Sequence, residues 1–193
     1  NKITVIPNSI DAPCSYTPTS GEYIAYIGRL SYEKGYDLLV EVARKHPEIK
    51  FRFAGAQREQ KNTDIPSNVE FAGYLQKDKL LEFIQKARFI VIPSRCYEGF
   101  PMAILEAACH GKPAIAPNHG GFTEIIGQGE NAIGKLFEPG NTDDLDKQIA
   151  ELWNNQTLTE ELGEKAFRKL KKHYDSEVVY KQWETLFSKL KNS

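Results

Sequence analysis

The sequence predicts an α/β fold: an open parallel sheet of about six strands with helices on both faces, followed by further helices at the C-terminal end. Three observations predict it. Apolar runs alternate with helically spaced segments up to about residue 140. Those runs are apolar on both faces, as strands become when helices cover a sheet from both sides. Several of them end on glycine and lead into a helical pattern, the mark of strand–loop–helix units.

Taken in order, "EYIAYIG" (22–28) reads as a buried strand, and "GYDLLVEVARKHP" (35–47) as a helix stopped by proline. "IKFRFAG" (49–55) and "VEFAG" (69–73) are strands ending at glycine, and "DKLLEFIQKA" (78–87) is an amphipathic helix. "RFIVIPS" (88–94) is a strand with almost no polar face. "PMAILEAACHG" (101–111) has proline at the expected first helical position and glycine at its end. "PAIAP" (113–117) and "AIGKLFEP" (132–139) complete the strands, and segments 142–154, 157–173 and 176–190 read as helices. Sheets of this class bind ligands beyond the carboxyl ends of their strands. The loops there are 28–35, 55–68 (with the polar stretch "NTDIPSN", 62–68), 73–77, 94–100 and 118–123.

Composition narrows the function. With 26 acidic residues against 25 Lys+Arg in 193, and pI about 6.5, the chain is no general polyanion binder, so nucleic acid is not an expected partner and any anion site is local. Cys14, Cys96 and Cys109 are odd in number and lack metal-ligand spacing. They read as free thiols in a reducing cytoplasm. No apolar run approaches the roughly 18 residues of a membrane span, and no signal segment is visible. The opening "NKITVIPNSID" reads as the middle of a longer polypeptide.

Two stretches carry chemistry. "GRLSYEKG" (28–35) follows a strand and opens a helix, where unpaired amides and the helix dipole favour an anion. Arg29 and Lys34 add two cations there, and Gly28 and Gly35 permit close backbone approach. The plainer reading pairs Arg29 with a surface acid and leaves Lys34 solvated. "EGFPMAILEA" (98–107) sets Glu98 in a loop before a helix start and Glu106 inside an apolar helix. A retaining glycosidase pair needs carboxyls about 5 Å apart, whereas this spacing suggests a separation on the order of 10 Å. No neighbouring acid or histidine stands at metal-ligand spacing. A carboxylate can instead accept hydrogen bonds from vicinal sugar hydroxyls, as the acid of dinucleotide folds does with ribose. The competing reading for Glu106 is a satisfied buried ion pair with Arg95 or His110. His119 is a rim residue or a turn former, Glu124 a first-turn helix acid, and Cys96 has no assigned chemistry.

"GRLSYEKG", "EGFPMAILEA" and "GGFTEII" (120–126), in that order and on those elements, resemble the family-4 retaining glycosyltransferases of the GT-B fold. The resemblance runs from "VIPNSID" (5–11) to about Lys172. It implies that the chain is the C-terminal, Rossmann-like, nucleotide-sugar-binding half, with residues 1–20 as interdomain linker, 21–173 as the donor domain, and 174–193 as a helix crossing to an absent N-terminal acceptor domain. It implies that Arg29 and Lys34 contact the donor diphosphate, Glu106 the ribose hydroxyls, and Glu98 those of the transferred sugar. Amides of Phe100, Met102 and Ala103 line sugar and phosphates. Tyr74 and Leu75 border the base over Gly55, and Gly28, Gly99, Pro101 and Leu105 complete the donor site. The implied reaction moves a hexose-type sugar from a UDP- or GDP-sugar to a glycan, polysaccharide or glycolipid acceptor, with no cofactor and no metal, since two cations already neutralise the diphosphate. The isolated domain is expected to be inactive. Any contact with the inner face of a membrane runs through the absent domain. The alternatives are a non-catalytic nucleotide-sugar-binding module and a GT-B relative such as a phosphorylase or epimerase.

Overall fold

A computed structural model describes residues 3–12, 16, 21–56 and 64–191. Cys14, the rest of the 1–20 segment and the middle of the loop after residue 56 lie outside the described residues.

Six strands form one sheet: β1 (Tyr23–Ile27), β2 (Phe51–Ala54), β3 (Val69–Gly73), β4 (Ala87–Val91), β5 (Ala114–Pro117) and β6 (Gly134–Phe137). Their order is β3-β2-β1-β4-β5-β6, and every neighbouring pair is parallel. Alternation along each strand serves two cores. Ile24, Tyr26, Phe51, Phe53, Phe89 and Val91 pack beneath α1 (Tyr36–Lys45) and α5 (Thr142–Asn154). On the other face Tyr23, Ala25, Ile90 and Ala116 meet α2 (Lys77–Lys86), α3 (Met102–Ala108) and α4 (Gly120–Ile126). α6 (Gln156–His173) contributes to both clusters through Leu162 and Leu170. Each fully buried large apolar side chain contributes roughly 1.5–3 kcal/mol, which is why doubly apolar strands specify a two-faced sheet.

Strand order reverses between β1 and β4, so the loops leaving these two strands open a crevice at the sheet's carboxyl edge. The chain's last helix, α7 (Ser176–Lys191), sits apart from both cores; Val179 is its one buried residue among those described. Residues 3–12 meet it at its start. Ile10 donates to the Tyr174 carbonyl (3.0 Å) and accepts from Ser176 N–H (3.2 Å).

The boundaries correct three readings. Pro101 caps α3 from outside rather than standing first in it, because the helix begins at Met102. α4 already begins at Gly120, which moves Glu124 out of the first turn. β4 ends at Val91; the chain then leaves the sheet through Pro93, although Ile92 still donates to the Ile115 carbonyl (2.9 Å).

Candidate functional site

The crevice is built by three loops. The first follows β1. Buried Tyr26 stacks on Phe53 and donates its hydroxyl to the Arg29 carbonyl (2.6 Å), fixing the turn at Gly28–Arg29. A side chain at Gly55 would collide with the Gly28 carbonyl, so the loops after β1 and β2 press backbone to backbone. A 3₁₀ turn at Tyr32–Lys34 then feeds Gly35, whose φ of +70° and contact with the Pro93 carbonyl exclude a side chain.

The second loop follows β4 and is braced to the first by Arg95. Its guanidinium grips the Asp37 carboxylate with two parallel bonds (2.7 and 2.8 Å), donates to the Tyr32 carbonyl (2.6 Å) and lies 4.0 Å over the Tyr32 ring. Its backbone N–H donates to the Glu33 carbonyl (2.9 Å). A forked, charge-assisted pair of this kind fixes geometry as well as adding energy. Lys34 and Glu98 are thereby brought together across the crevice, Nζ to Oε1 at 2.7 Å, with both side chains under a quarter exposed. Lys34 is not the solvated residue of the plainer reading. Arg29 does pair with a surface acid: it reaches Glu33 at 3.2 Å, with both groups more than two-fifths exposed, and so weakly held that an anion can take it.

Third comes the 118–121 loop. Gly121 N–H donates to the Glu98 carbonyl (2.8 Å), and a side chain at Gly121 would strike Gly99. His119 is the residue that precedes α4 at its N-cap, with its ring 4.5 Å from that of Tyr97. Glu98 therefore sits on backbone clamped from both sides.

Glu106 is half-buried one helical turn into α3, and its carboxylate has no hydrogen-bond or ion-pair partner among the described residues. Arg95 is committed to Asp37, and His110 approaches Gln85 instead, which removes the ion-pair reading. Burial pushes the Glu106 carboxyl above its ordinary value. A carboxylate withdrawn from water with no partner among the described residues costs free energy and gives the fold no compensating contact. Met102 and Ala103, partly exposed, lie in α3's first turn, whose amides lack intrahelical partners. Gly99 is exposed, Phe100 half-buried against Tyr174, and Pro101 buried. Tyr74 is exposed at the end of β3, and Leu75 packs partly on the core. Leu105 departs from expectation: at 1% exposure its side chain belongs to the core and faces no ligand. Burial pushes the Cys109 thiol up to about 11, leaving it inert. Among the described residues no cluster of His, Cys, Asp or Glu could hold a metal.

Sequence reasoning missed Asp37, Tyr26 and Gly121 and gave Arg95 the wrong partner. Local spacing carries no signal for Arg95–Asp37, because the two meet only once β1 and β4 are neighbours.

The family model described as "Glycosyl transferases group 1" matches residues 15–169. The chain belongs to this family. Similar proteins include an uncharacterized glycosyltransferase of Methanocaldococcus jannaschii, 33% identical over 85% of this chain and 47% of that protein. The sulfoquinovosyl transferase of Arabidopsis thaliana is 30% identical over 88% of this chain and 32% of that one. Among solved structures, S. aureus TarM, determined as a variant in complex with fondaparinux, alpha-GlcNAc-glycerol and UDP, superposes with TM-score 0.77 at 25% identity, covering 97% of this chain and 40% of that chain. This glycosyltransferase chain thus spans about half the length, or less, of the relatives it matches. Its sheet and helices form one Rossmann-like half of a GT-B fold. No described helix is long and apolar enough to cross a membrane.

Proposed function

We propose that this chain is the donor-binding domain of a retaining, family-4-type glycosyltransferase, which takes a hexose-type sugar from a UDP- or GDP-sugar and passes it to a glycan, polysaccharide or glycolipid acceptor. The observation that carries this reading is the meeting of Lys34 and Glu98 at the strand-order reversal, beside Arg29 and the unpartnered Glu106. Two cations suit a diphosphate, and two separate carboxylates suit two sets of sugar hydroxyls. UDP in the TarM structure supports the nucleotide class.

In this reading Arg29, Lys34 and the start of α3 stabilise charge growing on the departing diphosphate, which is preorganised electrostatic catalysis. Glu106 accepts from the ribose hydroxyls, Glu98 from the transferred sugar, and Tyr74 borders the base. The acceptor is supplied by a second domain of a longer polypeptide, so the 193 residues alone bind donor without transferring it. Calorimetric titration with UDP, GDP, ADP and their sugar conjugates tests this. Binding to at least one is expected, and Arg29→Ala combined with Lys34→Ala abolishes it. Silence from every nucleotide overturns the reading.

A further inference from the structure

We infer that Glu98 also selects the sugar-bearing donor over the sugar-free nucleoside diphosphate, by holding Lys34 whenever no sugar is present. This rests on the function proposed above. Lys34 Nζ is bonded to Glu98 Oε1 at 2.7 Å, and both side chains are largely withdrawn from water. The lysine assigned to phosphate is therefore occupied by the carboxylate assigned to sugar. That spacing is imposed from outside, since Arg95 ties the Lys34 loop to the Glu98 loop and Gly121 N–H anchors the Glu98 carbonyl. The Glu98 backbone therefore stays beside the Lys34 loop when Lys34 turns to a ligand.

Two ligands then meet different costs. A nucleoside diphosphate takes Lys34 and leaves Glu98 a half-buried carboxylate with no donor, facing a phosphate of like charge, and an ionised group withdrawn from water without a partner is unfavourable. A nucleotide sugar takes Lys34 and offers hydroxyl donors to the same carboxylate, so nothing is left unpaired. Without Glu98 the preference should run the other way. A terminal phosphate with a second pKa near 6 gives the free diphosphate more negative charge than its sugar ester, and bare cations favour the more negative ligand. The consequence for turnover is that the spent nucleotide leaves a site its donor enters.

The test is calorimetry on the 193-residue chain at low ionic strength, using the nucleoside diphosphate found to bind and its sugar conjugate. Wild type is expected to bind the conjugate at least as tightly as the free diphosphate. Glu98→Gln should tighten the free diphosphate by about two- to fivefold, the worth of one partly exposed ion pair, without tightening the conjugate, so that the preference inverts. In a Lys34→Ala background, where Arg29 still holds phosphate and only the like-charge repulsion is relieved, Glu98→Gln should give a clearly smaller gain. An equal gain there means simple charge repulsion and overturns the inference, as does an unchanged or weakened diphosphate affinity in Glu98→Gln. Failure of every nucleotide to bind wild type overturns the donor reading itself. Binding with no inversion overturns only this inference.

Discussion

At Glu106 a carboxylate occupies a helix whose neighbours Ile104, Leu105, Ala107 and Ala108 are all core. Burial raises its pKa, and no partner offsets that cost. A group whose pKa is higher folded than unfolded binds more protons in the folded state, so its contribution to stability is full below the unfolded value and is lost as pH rises through the folded one. Glu106→Gln removes the charge while keeping the shape. It should raise the melting temperature at pH 7 by on the order of 2 °C, with the gain shrinking as pH falls toward about 4, where the wild-type carboxyl is itself protonated. The same variant should bind nucleoside diphosphate about tenfold more weakly, because one charged hydrogen-bond acceptor for ribose is lost. Stability gained together with binding lost is the signature of a residue kept for function. A drop in melting temperature at pH 7 would instead show that the fold uses the carboxylate.

Between elements, the joint that matters is Arg95 on Asp37, Tyr32 and Glu33, which welds the loop after β4 to the loop and helix after β1. Arg95→Lys keeps the charge but loses the fork. Denaturant unfolding should show a loss of about 1–2 kcal/mol, with the slope unchanged, and nucleotide affinity should fall several-fold at temperatures where the variant is fully folded. Asp37→Asn should behave alike, and the double variant should be little worse than either, since both break one interaction. Unaltered affinity would reduce Arg95 to a structural role. This joint also marks where sequence stops being readable. Strands such as Phe89–Val91 were legible because burial on both faces writes itself into every residue of the run. The glutamate pair and the Arg29–Lys34 pair were legible because each lies within nine residues on one loop or helix start. Arg95 and Asp37 are 58 residues apart and meet only through strand order, so sequence offered Arg95 to Glu106 instead. Leu105 was carried into the site by its neighbours, although a helix turns 100° per residue and sends it to the core.

On the scale of the whole molecule, α7 carries a row of exposed apolar side chains. Tyr180, Trp183 and Phe187 are 63%, 43% and 55% exposed, the last two with rings stacked at 5.8 Å, and Leu190 extends the row. Spacings of three and four place these residues on one side of the helix, and Val179, the helix's one buried residue among those described, stands one turn before Trp183 at the edge of that same side. An apolar row of this kind on an outlying helix suits the less hydrophobic type of interface found between domains of one chain. In the proposed function, the rest of a longer polypeptide covers it. With Trp153→Phe removing the other indole, Trp183 in the 193-residue chain should emit as a water-exposed indole and be readily quenched by acrylamide. In the longer polypeptide the same indole should be shielded and blue-shifted, and Tyr180→Lys with Phe187→Lys should loosen the joint and return quenching to the level of the short chain. Equal quenching in both lengths would show that α7 is not where the domains meet, and the acceptor domain would have to close over the Lys34–Glu98 crevice from another side.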